Sequence, residues 1–380
     1  MKKRYLSLDV LRGLTVAMMI VVNNPGSWSH IYPPLRHASW DGCTPCDLVF
    51  PFFLFCVGTA MAFALAGYAS LTGEALKKIF KRGVLLFLTG FALTAFPFYP
   101  SVSSMDPDLS FWQNWLDWLS GIRIMGVLQR IALCYVLASV LALWLQKPLK
   151  IAVAIGVLCV VEVSLLLIFA GPEGAFTLEG NFASRFDLAV LGENHVYEGY
   201  GIPFDPEGIF CSLTGTCTVL LGYLVGGMIR RSSAAYAEEA KVEDSPVGVV
   251  SKLFVLSAAS LLFALVLSLV IPINKPIWSV SYVFYAGGWA MFVLALFSYL
   301  IDVKGWEKPF FPFKALGMNA LALFVLSGLL MKIIWRYTSW DYTVVFGVNE
   351  GMSLLFAMLY MLFHLLVAVV LYKKKIFIKL

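Results

Sequence analysis

The chain has 380 residues, of which 60% are hydrophobic and 13% are charged. This composition excludes a soluble globular protein, since soluble domains carry roughly 45–50% apolar residues and about 25% charged ones. The net charge of +5 does not indicate nucleic-acid binding, because lysine and arginine occur in short clusters between apolar runs, as they do in cytoplasmic loops. We therefore expect an all-α polytopic membrane protein, with residues 1–380 in a single transmembrane domain.

The first apolar run, predicted to span the membrane over residues 8–25, carries two charged side chains. Asp9 and Arg12 are three positions apart, so they share a helix face and can pair. Asn23 returns to that face about three turns after Arg12, and roughly 21 Å of helix separates it from Asp9. The face fits an ion pair that fixes helix packing. It also fits the lining of a channel for a long polar ligand, which we favour because charges within a bilayer usually mark a site. These charges do not suit a cleaved signal peptide, so we expect the run to be retained.

His37 follows in the segment HASWDG and is the first candidate for acid–base chemistry. An imidazole changes its protonation near neutral pH, so it can act as a general base. A carboxylate can orient such an imidazole, but the spacing does not decide between Asp41 and Asp47. A lone loop histidine is more often structural, and three others compete for the role: His30, His195 and His364. We expect His364, inside the last span, to form a hydrogen bond between helices.

Two cysteines beside His37 form the motif CTPC, at Cys43 and Cys46. One such motif and one histidine are weak evidence for zinc, since no second ligand pair follows at finger-like spacing. A disulfide requires an oxidising space, and two unlinked thiols fit the motif at least as well. We therefore expect no metal site.

Orientation follows from the basic residues. If the amino terminus is cytoplasmic, most lysines and arginines fall on the cytoplasmic side, both termini lie there, and His37 lies on the outer face. Outer loops are then predicted over 101–120, with an aromatic stretch for the membrane interface, and over 171–207. The second loop is acidic, which fits either attraction of a cationic acceptor or ordinary solvation. A flexible cytoplasmic linker is predicted over 230–247. The ten predicted spans cover residues 8–25, 47–69, 82–100, 121–145, 150–170, 208–229, 249–271, 279–301, 315–334 and 350–371.

The later spans contribute further polar candidates. Arg130 is predicted near the middle of the fourth span with Gln129 beside it, and a buried arginine requires an anion. A phosphate-bearing ligand or Asp9 meets that need. The motif FDPEG before the sixth span predicts a helix start, with Asp205 as N-cap and Pro206 as first helical residue. Asn319 is predicted to be a buried polar residue.

Several of these segments together resemble the heparan-α-glucosaminide N-acetyltransferase family. The start of the family's core is similar to RYLSLDVLRGLTVAMMIVVNNPG followed by HASWDGCTPCDLVFPFFLFCVG. The resemblance continues, in the same order, through GVLQRIALCY, LGENHVYEGYGIPFDPEGI, INKPIWSVSYVFYAGGWA and PFKALGMNALALFVLS. The chain looks like a compact bacterial-type member, without the extra amino-terminal luminal region of the animal lysosomal enzyme.

The resemblance implies a transmembrane acyltransferase that moves an acetyl group from cytoplasmic acetyl-CoA to a glucosamine-type amine on the other side. It also implies a protein of a bacterial inner membrane with His37 periplasmic, and we expect a homo-oligomer, with a dimer favoured. The family's active-site histidine falls on His37 and a nearby asparagine on Asn23. The implied CoA-contacting residues are Asp9, Arg12, Gln129 and Arg130. The acceptor-side candidates are Asn24, Trp40, Asp41, Asp47 and Asp205.

The expected chemistry is proton removal from the acceptor amine by His37, as the amine attacks the thioester carbonyl. Asn23 or Asn24 is expected to donate a hydrogen bond to the developing oxyanion. A transient acetyl-histidine is the alternative chemistry. The competing function is transport of an amino sugar or a proton, with the charged residues and His37 as binding groups. No internal repeat of the kind found in many transporters is visible, which counts against transport.

Overall fold

A computed structural model describes residues 5–101, 105–235 and 245–378 of the chain. Within these ranges the regular structure is α-helical with short 3₁₀ and π segments, and the β-bridges found there are isolated. The predicted all-α class is therefore confirmed. The helices are α1 (Leu6–Asn23), α2 (Val49–Ala64), α3 (Gly73–Ala95), α4 (Phe111–Ser120), α5 (Val127–Leu145), α6 (Pro148–Ile168), α7 (Phe182–Leu191), α8 (Ser212–Ala235), α9 (Pro246–Leu267), α10 (Val280–Phe297), α11 (Phe311–Met318), α12 (Ala320–Tyr337), α13 (Thr343–Phe346) and α14 (Glu350–Lys373).

Nine helical segments in the described ranges are long and apolar enough to cross a membrane, so the chain is an integral membrane protein with several spans. They correspond to nine of the ten predicted spans. The remaining one, predicted over 82–100, is helix α3, which begins earlier, at Gly73, and ends at Ala95. Its first half carries the basic residues Lys77, Lys78, Lys81 and Arg82, which a lipid-spanning segment rarely contains.

The chain divides into two compact units. The first unit comprises Met1–Ala69, Thr218–Lys275 and Val280–Leu380, and the second comprises Ser70–Cys217 and Pro276–Ser279. The single domain over residues 1–380 stays a prediction. The candidate histidine loop lies in the first unit, and Gln129 and Arg130 lie in the second.

Helix α1 is packed at the centre of the first unit. It contacts α2, α10, α11, α12 and α14, and Val10 and Leu11 are buried in a core shared with α2, α8, α9 and α10. It crosses α11 at a very short distance, because a Cβ atom placed on Gly13 would lie 1.7 Å from the carbonyl oxygen of Phe313. A Cβ atom on Gly317 would lie 1.9 Å from the carbonyl oxygen of Asp9. Glycine at both positions therefore lets the two backbones touch.

Two helices begin later than the sequence predicts. Helix α5 starts at Val127 rather than at 121, so Arg130 lies in its first turn and not in the middle of a span. Helix α8 starts at Ser212, so the prediction of Asp205 as its N-cap is wrong. Asp205 instead accepts the N–H of Glu207 within a turn, at 2.9 Å, while its carboxylate faces an arginine. An ion pair of this kind competes with helix capping for the same oxygens.

The predicted outer loops contain short helices. Helix α4 lies within 101–120 and opens with a capping box in which Ser110 and Gln113 bond to each other's backbone N–H groups. Its tryptophans include Trp112, which is 69% exposed, and its location at a membrane interface stays a prediction. Helix α7 lies within 171–207. The predicted linker 230–247 is helical as far as Ala235, and its residues 236–244 lie outside the described residues.

Candidate functional site

His37 and Asp47 form a hydrogen-bonded pair in the loop between α1 and α2. The Nδ1 atom of His37 lies 2.6 Å from Oδ1 of Asp47. Asp47 is buried, whereas the His37 side chain is 48% exposed. Because an ionised carboxylate only accepts hydrogen bonds, Nδ1 of a neutral His37 carries the proton and the lone pair of the ring is on Nε2. This tautomer makes Nε2 the basic nitrogen of His37, and the hydrogen bond shows that Asp47, rather than Asp41, is the carboxylate bound to the imidazole.

Asp47 is held by the start of the second span. Its Oδ2 atom accepts the N–H groups of Ala38 and Thr44, both at 3.0 Å, and the Thr44 hydroxyl at 3.1 Å. The bond to the Thr44 N–H is half of a capping box on the 3₁₀ helix Pro45–Leu48 that leads into α2. Tyr282 of α10 donates its hydroxyl to the Asp47 carbonyl at 2.6 Å. The carboxylate is thus fixed by several bonds before it meets the imidazole.

Lys275 completes this group, and sequence reasoning did not select it. Its Nζ atom lies 3.4 Å from Oδ1 of Asp47, 3.0 Å from Nδ1 of His37 and 3.4 Å from Nε2. The sequence separation from His37 is 238 residues, so no local pattern joins the two. The available signal was a lysine on the predicted outer side, where basic residues are sparse. We name His37, Asp47 and Lys275 the His37 cluster.

Backbone pairing places Lys275 beside the histidine loop. The N–H of Gly42 donates to the Ile273 carbonyl at 2.7 Å, and Asn274 forms isolated β-bridges with Asp41 and Gly42. The buried Asn274 amide also donates to Oδ1 of Asp41 at 3.1 Å. Asp41 therefore joins two loops, and its carboxylate points to Asn274.

Both cysteines of the CTPC motif are unlinked thiols. The Sγ atom of Cys46 lies 3.3 Å from Nδ1 of His37 and 3.7 Å from Nε2. Burial raises the pKa of the Cys43 thiol to about 12, so this thiol is neutral at neutral pH. Across the described ranges, no group of three or more histidine, cysteine or acidic side chains is placed to hold a metal ion.

The predicted asparagines lie at the end of α1, and Trp40 lies in the His37 loop itself. Asn23 is exposed at the end of α1. Asn24 is buried, and its amide donates to the Ile20 carbonyl at 2.8 Å. Trp40 is half-buried. The Asn24 amide is therefore already engaged within its own helix turn.

The charged pair on α1 is present as the spacing predicts. Nη1 of Arg12 lies 3.3 Å from Oδ1 of Asp9, with 22% of the Arg12 side chain and 6% of the Asp9 side chain exposed. A guanidinium has five N–H donors, so one contact with Asp9 leaves donors for a further anion. The pair agrees with both a packing role and a ligand-binding role.

Arg130 and Gln129 are buried among backbone groups of the second unit. Arg130 donates to the carbonyls of Pro206 and, at 2.7 Å, of Cys211, and its guanidinium carbon lies 4.3 Å from the centre of the Trp278 ring. Within the described part of the chain it forms no ion pair. Gln129 donates to the Ile124 carbonyl at 3.0 Å. The sequence predicted that the Arg130 guanidinium would pair with an anion. In the structure, backbone carbonyl oxygens and an aromatic face stabilise its charge instead.

Asp205 is the centre of a separate ion-pair group in the second unit. Arg123 binds it through two bonds, Nε to Oδ2 at 2.8 Å and Nη2 to Oδ1 at 2.6 Å, and Nη2 also contacts Glu207 at 2.6 Å. Burial alone would lower the pKa of Arg123, but the two carboxylates raise it above its usual range. Both oxygens of Asp205 are occupied in this way, and its acceptor-side role stays a prediction.

His364 and Asn319, both singled out from the sequence, are buried. Asn319 bonds to the backbone of Ile376 and Ile378, as expected of a buried polar group. His364 pairs through Nδ1 with the Tyr360 carbonyl of its own helix, at 2.8 Å, so the prediction of a hydrogen bond between helices is wrong. A carbonyl four positions earlier lies within reach of a helical side chain and needs no partner helix.

Asp187 makes stability depend on pH. It is 1% exposed, accepts the N–H groups of Ile209 and Phe210, and has its pKa raised to about 7 by burial. Its folded-state pKa exceeds the unfolded value of 3.8, so its contribution to stability is full below about pH 4 and is lost as pH rises through about 7. The upper limit of this loss is about 4 kcal/mol. We therefore expect the melting temperature in detergent to decrease as the pH is raised from 5 to 8.

Asp187→Asn keeps an oxygen acceptor and removes the titration, so its melting temperature should vary less with pH over that interval. The exposed Asp117→Asn is the matched control and should keep the wild-type dependence. Equal slopes for wild type and Asp187→Asn would contradict the assignment.

The chain is similar to known proteins over nearly its whole length. Residues 4–177 match the family model described as heparan-alpha-glucosaminide N-acetyltransferase, catalytic. The matched range contains His37, Asp47 and Arg130. Over 98% of its length the chain is 26% identical to the Mus musculus protein named heparan-alpha-glucosaminide N-acetyltransferase. Over 99% of its length it is 25% identical to the Homo sapiens protein of the same name.

The chain spans about 60% of the length of each of these two relatives. The similarity nevertheless covers nearly all of this chain, and the match to the catalytic model includes the whole His37 loop. The resemblance to the heparan-α-glucosaminide N-acetyltransferase family that the sequence motifs indicate is therefore confirmed.

Proposed function

We propose that this protein is a transmembrane N-acetyltransferase. It moves an acetyl group from acetyl-CoA on the cytoplasmic side to the amine of a glucosamine-type sugar on the outer side. The observation that carries the proposal is the His37–Asp47 hydrogen bond, which joins the loop after the first span to the start of the second, within the range that matches the family's catalytic model. A bacterial inner membrane, a periplasmic His37 and a homodimer are parts of the same proposal.

In the proposed reaction His37 is the general base. The acceptor amine attacks the thioester carbonyl as Nε2 takes a proton from the amine, and Asp47 stabilises the imidazolium that forms. The new C–N bond forms, the C–S bond breaks, and the proton on His37 passes to the departing CoA thiolate. His37 returns to its neutral form without a net change in the protein.

Acetyl-CoA is proposed to reach His37 along the face of α1. Asp9 and Arg12 lie near one end of this helix, and the His37 loop follows the other end. Arg12 is partly exposed and retains N–H donors for a phosphate group. Contacts of CoA with Gln129 and Arg130 are a separate expectation, because the Gln129 amide and one Nη atom of Arg130 already donate to backbone carbonyls of the second unit.

The test uses the purified protein in vesicles of one known orientation. Acetyl-labelled acetyl-CoA is supplied on the cytoplasmic side, and glucosamine or glucosamine-ended oligosaccharides are supplied on the other side. We expect labelled N-acetyl product on the acceptor side, and none with N-acetylglucosamine, which has no free amine. Sugar that crosses the vesicle membrane unmodified, with no acetylated product, would support the transporter alternative and contradict the proposal.

A further inference from the structure

We propose that Lys275 is a catalytic residue that donates a hydrogen bond to the thioester oxygen during acetyl transfer. This inference rests on the proposed function. It concerns a residue that lies outside the sequence range matched by the family's catalytic model, which ends at 177. It is carried by the position of the Lys275 ammonium beside both ring nitrogens of His37.

The distances place the ammonium where the reacting atoms must lie. A general base works on a proton whose heavy atom is about 2.6–3.2 Å away, so the acceptor amine must approach Nε2 of His37 to that distance. The carbonyl carbon under attack is then roughly 3 Å from the amine. Because Nζ of Lys275 lies 3.4 Å from Nε2 and 3.0 Å from Nδ1, a thioester whose carbonyl oxygen faces the Lys275 side of the imidazole can accept a hydrogen bond from it.

The charges of the His37 cluster match those that develop in the reaction. In the resting state the Lys275 ammonium and the Asp47 carboxylate face each other, with 3.4 Å between Nζ and Oδ1. At the transition state a positive charge develops on the imidazole and a negative charge on the thioester oxygen. Asp47 then pairs with the imidazolium and Lys275 with the oxyanion, so each new charge has an opposite partner.

Lys275 keeps its proton in this step and only donates a hydrogen bond. The carbonyl π electrons move to oxygen as the C–N bond forms, and they return as the C–S bond breaks. The same donor serves a transient acetyl-histidine, because attack by Nε2 on the thioester produces the same oxyanion. The inference therefore holds for both versions of the chemistry.

The asparagines are weaker candidates for this donor. The Asn24 amide already donates to the Ile20 carbonyl and is buried, so it must break a bond to reach a substrate. Asn23 is exposed at the end of α1. The Lys275 side chain is 15% exposed, and its backbone is held by the pairing of Ile273 and Asn274 with the histidine loop. A largely buried and fixed donor stabilises an oxyanion better than a mobile one.

The experiment measures acetyl transfer in oriented vesicles for wild type, Lys275→Met, Lys275→Gln and the exposed control Lys150→Met. Initial rates over acetyl-CoA and amino-sugar concentrations separate kcat from KM, and the rise in melting temperature with acetyl-CoA reports folding and binding. We expect Lys275→Met to lower kcat by about 10²–10³-fold, as loss of one oxyanion donor does, with both KM values within about threefold of wild type. Lys275→Gln keeps a neutral donor and should lose less, and Lys150→Met should match wild type.

Two results would overturn the inference. One is a Lys275→Met protein with kcat within about threefold of wild type, and the other is a loss confined to the KM of the sugar, which would make Lys275 an acceptor-binding residue. If Lys275→Met shows no melting response to acetyl-CoA, its kcat cannot be interpreted and the Lys275→Gln protein is used instead. A wild-type kcat for Lys275→Gln would then overturn the inference. A wild-type protein that transfers no acetyl group removes the proposed function itself, which is a different outcome from active wild type with active Lys275→Met.

Discussion

We expect His37→Asn to lower the kcat of the proposed acetyl transfer by about 10²–10⁴-fold, because it removes the proposed base and keeps the bond to Asp47. The asparagine amide can occupy the place of Nδ1 and donate to Oδ1 of Asp47, now 2.6 Å from the imidazole. No group replaces Nε2. The loss should therefore fall on the chemical step, and the melting temperature and its response to acetyl-CoA should stay near wild type.

The matched control is His30→Asn. His30 is a partly buried histidine of the same loop region, and its Nδ1 atom has no hydrogen-bond partner among the described residues. Because His30 has no proposed role as a general base, its replacement should leave kcat within about threefold of wild type. A His37→Asn protein that acetylates glucosamine at the wild-type rate would exclude both general-base and acetyl-histidine chemistry at this residue. The acetyl-histidine alternative has its own test, in which labelled acetyl-CoA is supplied without an acceptor sugar. Label that stays on the wild-type protein but not on His37→Asn would favour an acetyl-histidine intermediate.

Asp47→Asn provides an independent check on the same dyad. An asparagine amide can donate to Nδ1, which stabilises the tautomer with its proton on Nε2 and so blocks the base. We expect a loss of kcat in the same range as for His37→Asn. Because Asp47 also accepts the N–H groups of Ala38 and Thr44, some loss of stability should accompany it. A wild-type kcat for Asp47→Asn would contradict the assigned tautomer.

The spans were predictable because length and hydrophobicity are local properties of the sequence. The main disagreement, over residues 82–100, arises where basic residues and apolar residues share one helix, α3. Helix starts were less predictable. FDPEG carries every local signal of an N-terminus, yet Arg123, far away in sequence, binds the Asp205 carboxylate, and α8 begins at Ser212.

The candidate site was predictable only in part, for the same reason. His37 was predictable from the residues of its own loop. A local pattern also distinguishes Asp47 from Asp41, although the spacing from His37 does not. Thr44 and Asp47 are three positions apart before an apolar run, which is the pattern of a capping box. Lys275 had no comparable signal, because its position depends on backbone pairing between Gly42 and Ile273.

Gly13→Ala should be the most destabilising of the conservative changes considered, by about 3 kcal/mol or more, because overpacking against backbone cannot be relieved by a rotamer change. The added Cβ atom would lie 1.7 Å from the Phe313 carbonyl oxygen and 2.9 Å from the Gly317 nitrogen. Both contacts are main-chain atoms of α11. The two helices must therefore separate, and α1 loses packing on the side where α11 lies.

The matched control is Gly156→Ala in α6, where a Cβ atom would meet no heavy atom within 4 Å beyond the neighbouring backbone of its own helix. Alanine favours a helix over glycine by up to about 1 kcal/mol, so this variant should melt at or slightly above the wild-type temperature. Gly13 is adjacent to Arg12, so displacement of α1 should also weaken the rise in melting temperature produced by acetyl-CoA. Thermal unfolding in one detergent, with and without acetyl-CoA, measures both effects. A Gly13→Ala protein that melts with wild type would mean that α1 and α11 do not cross at backbone contact.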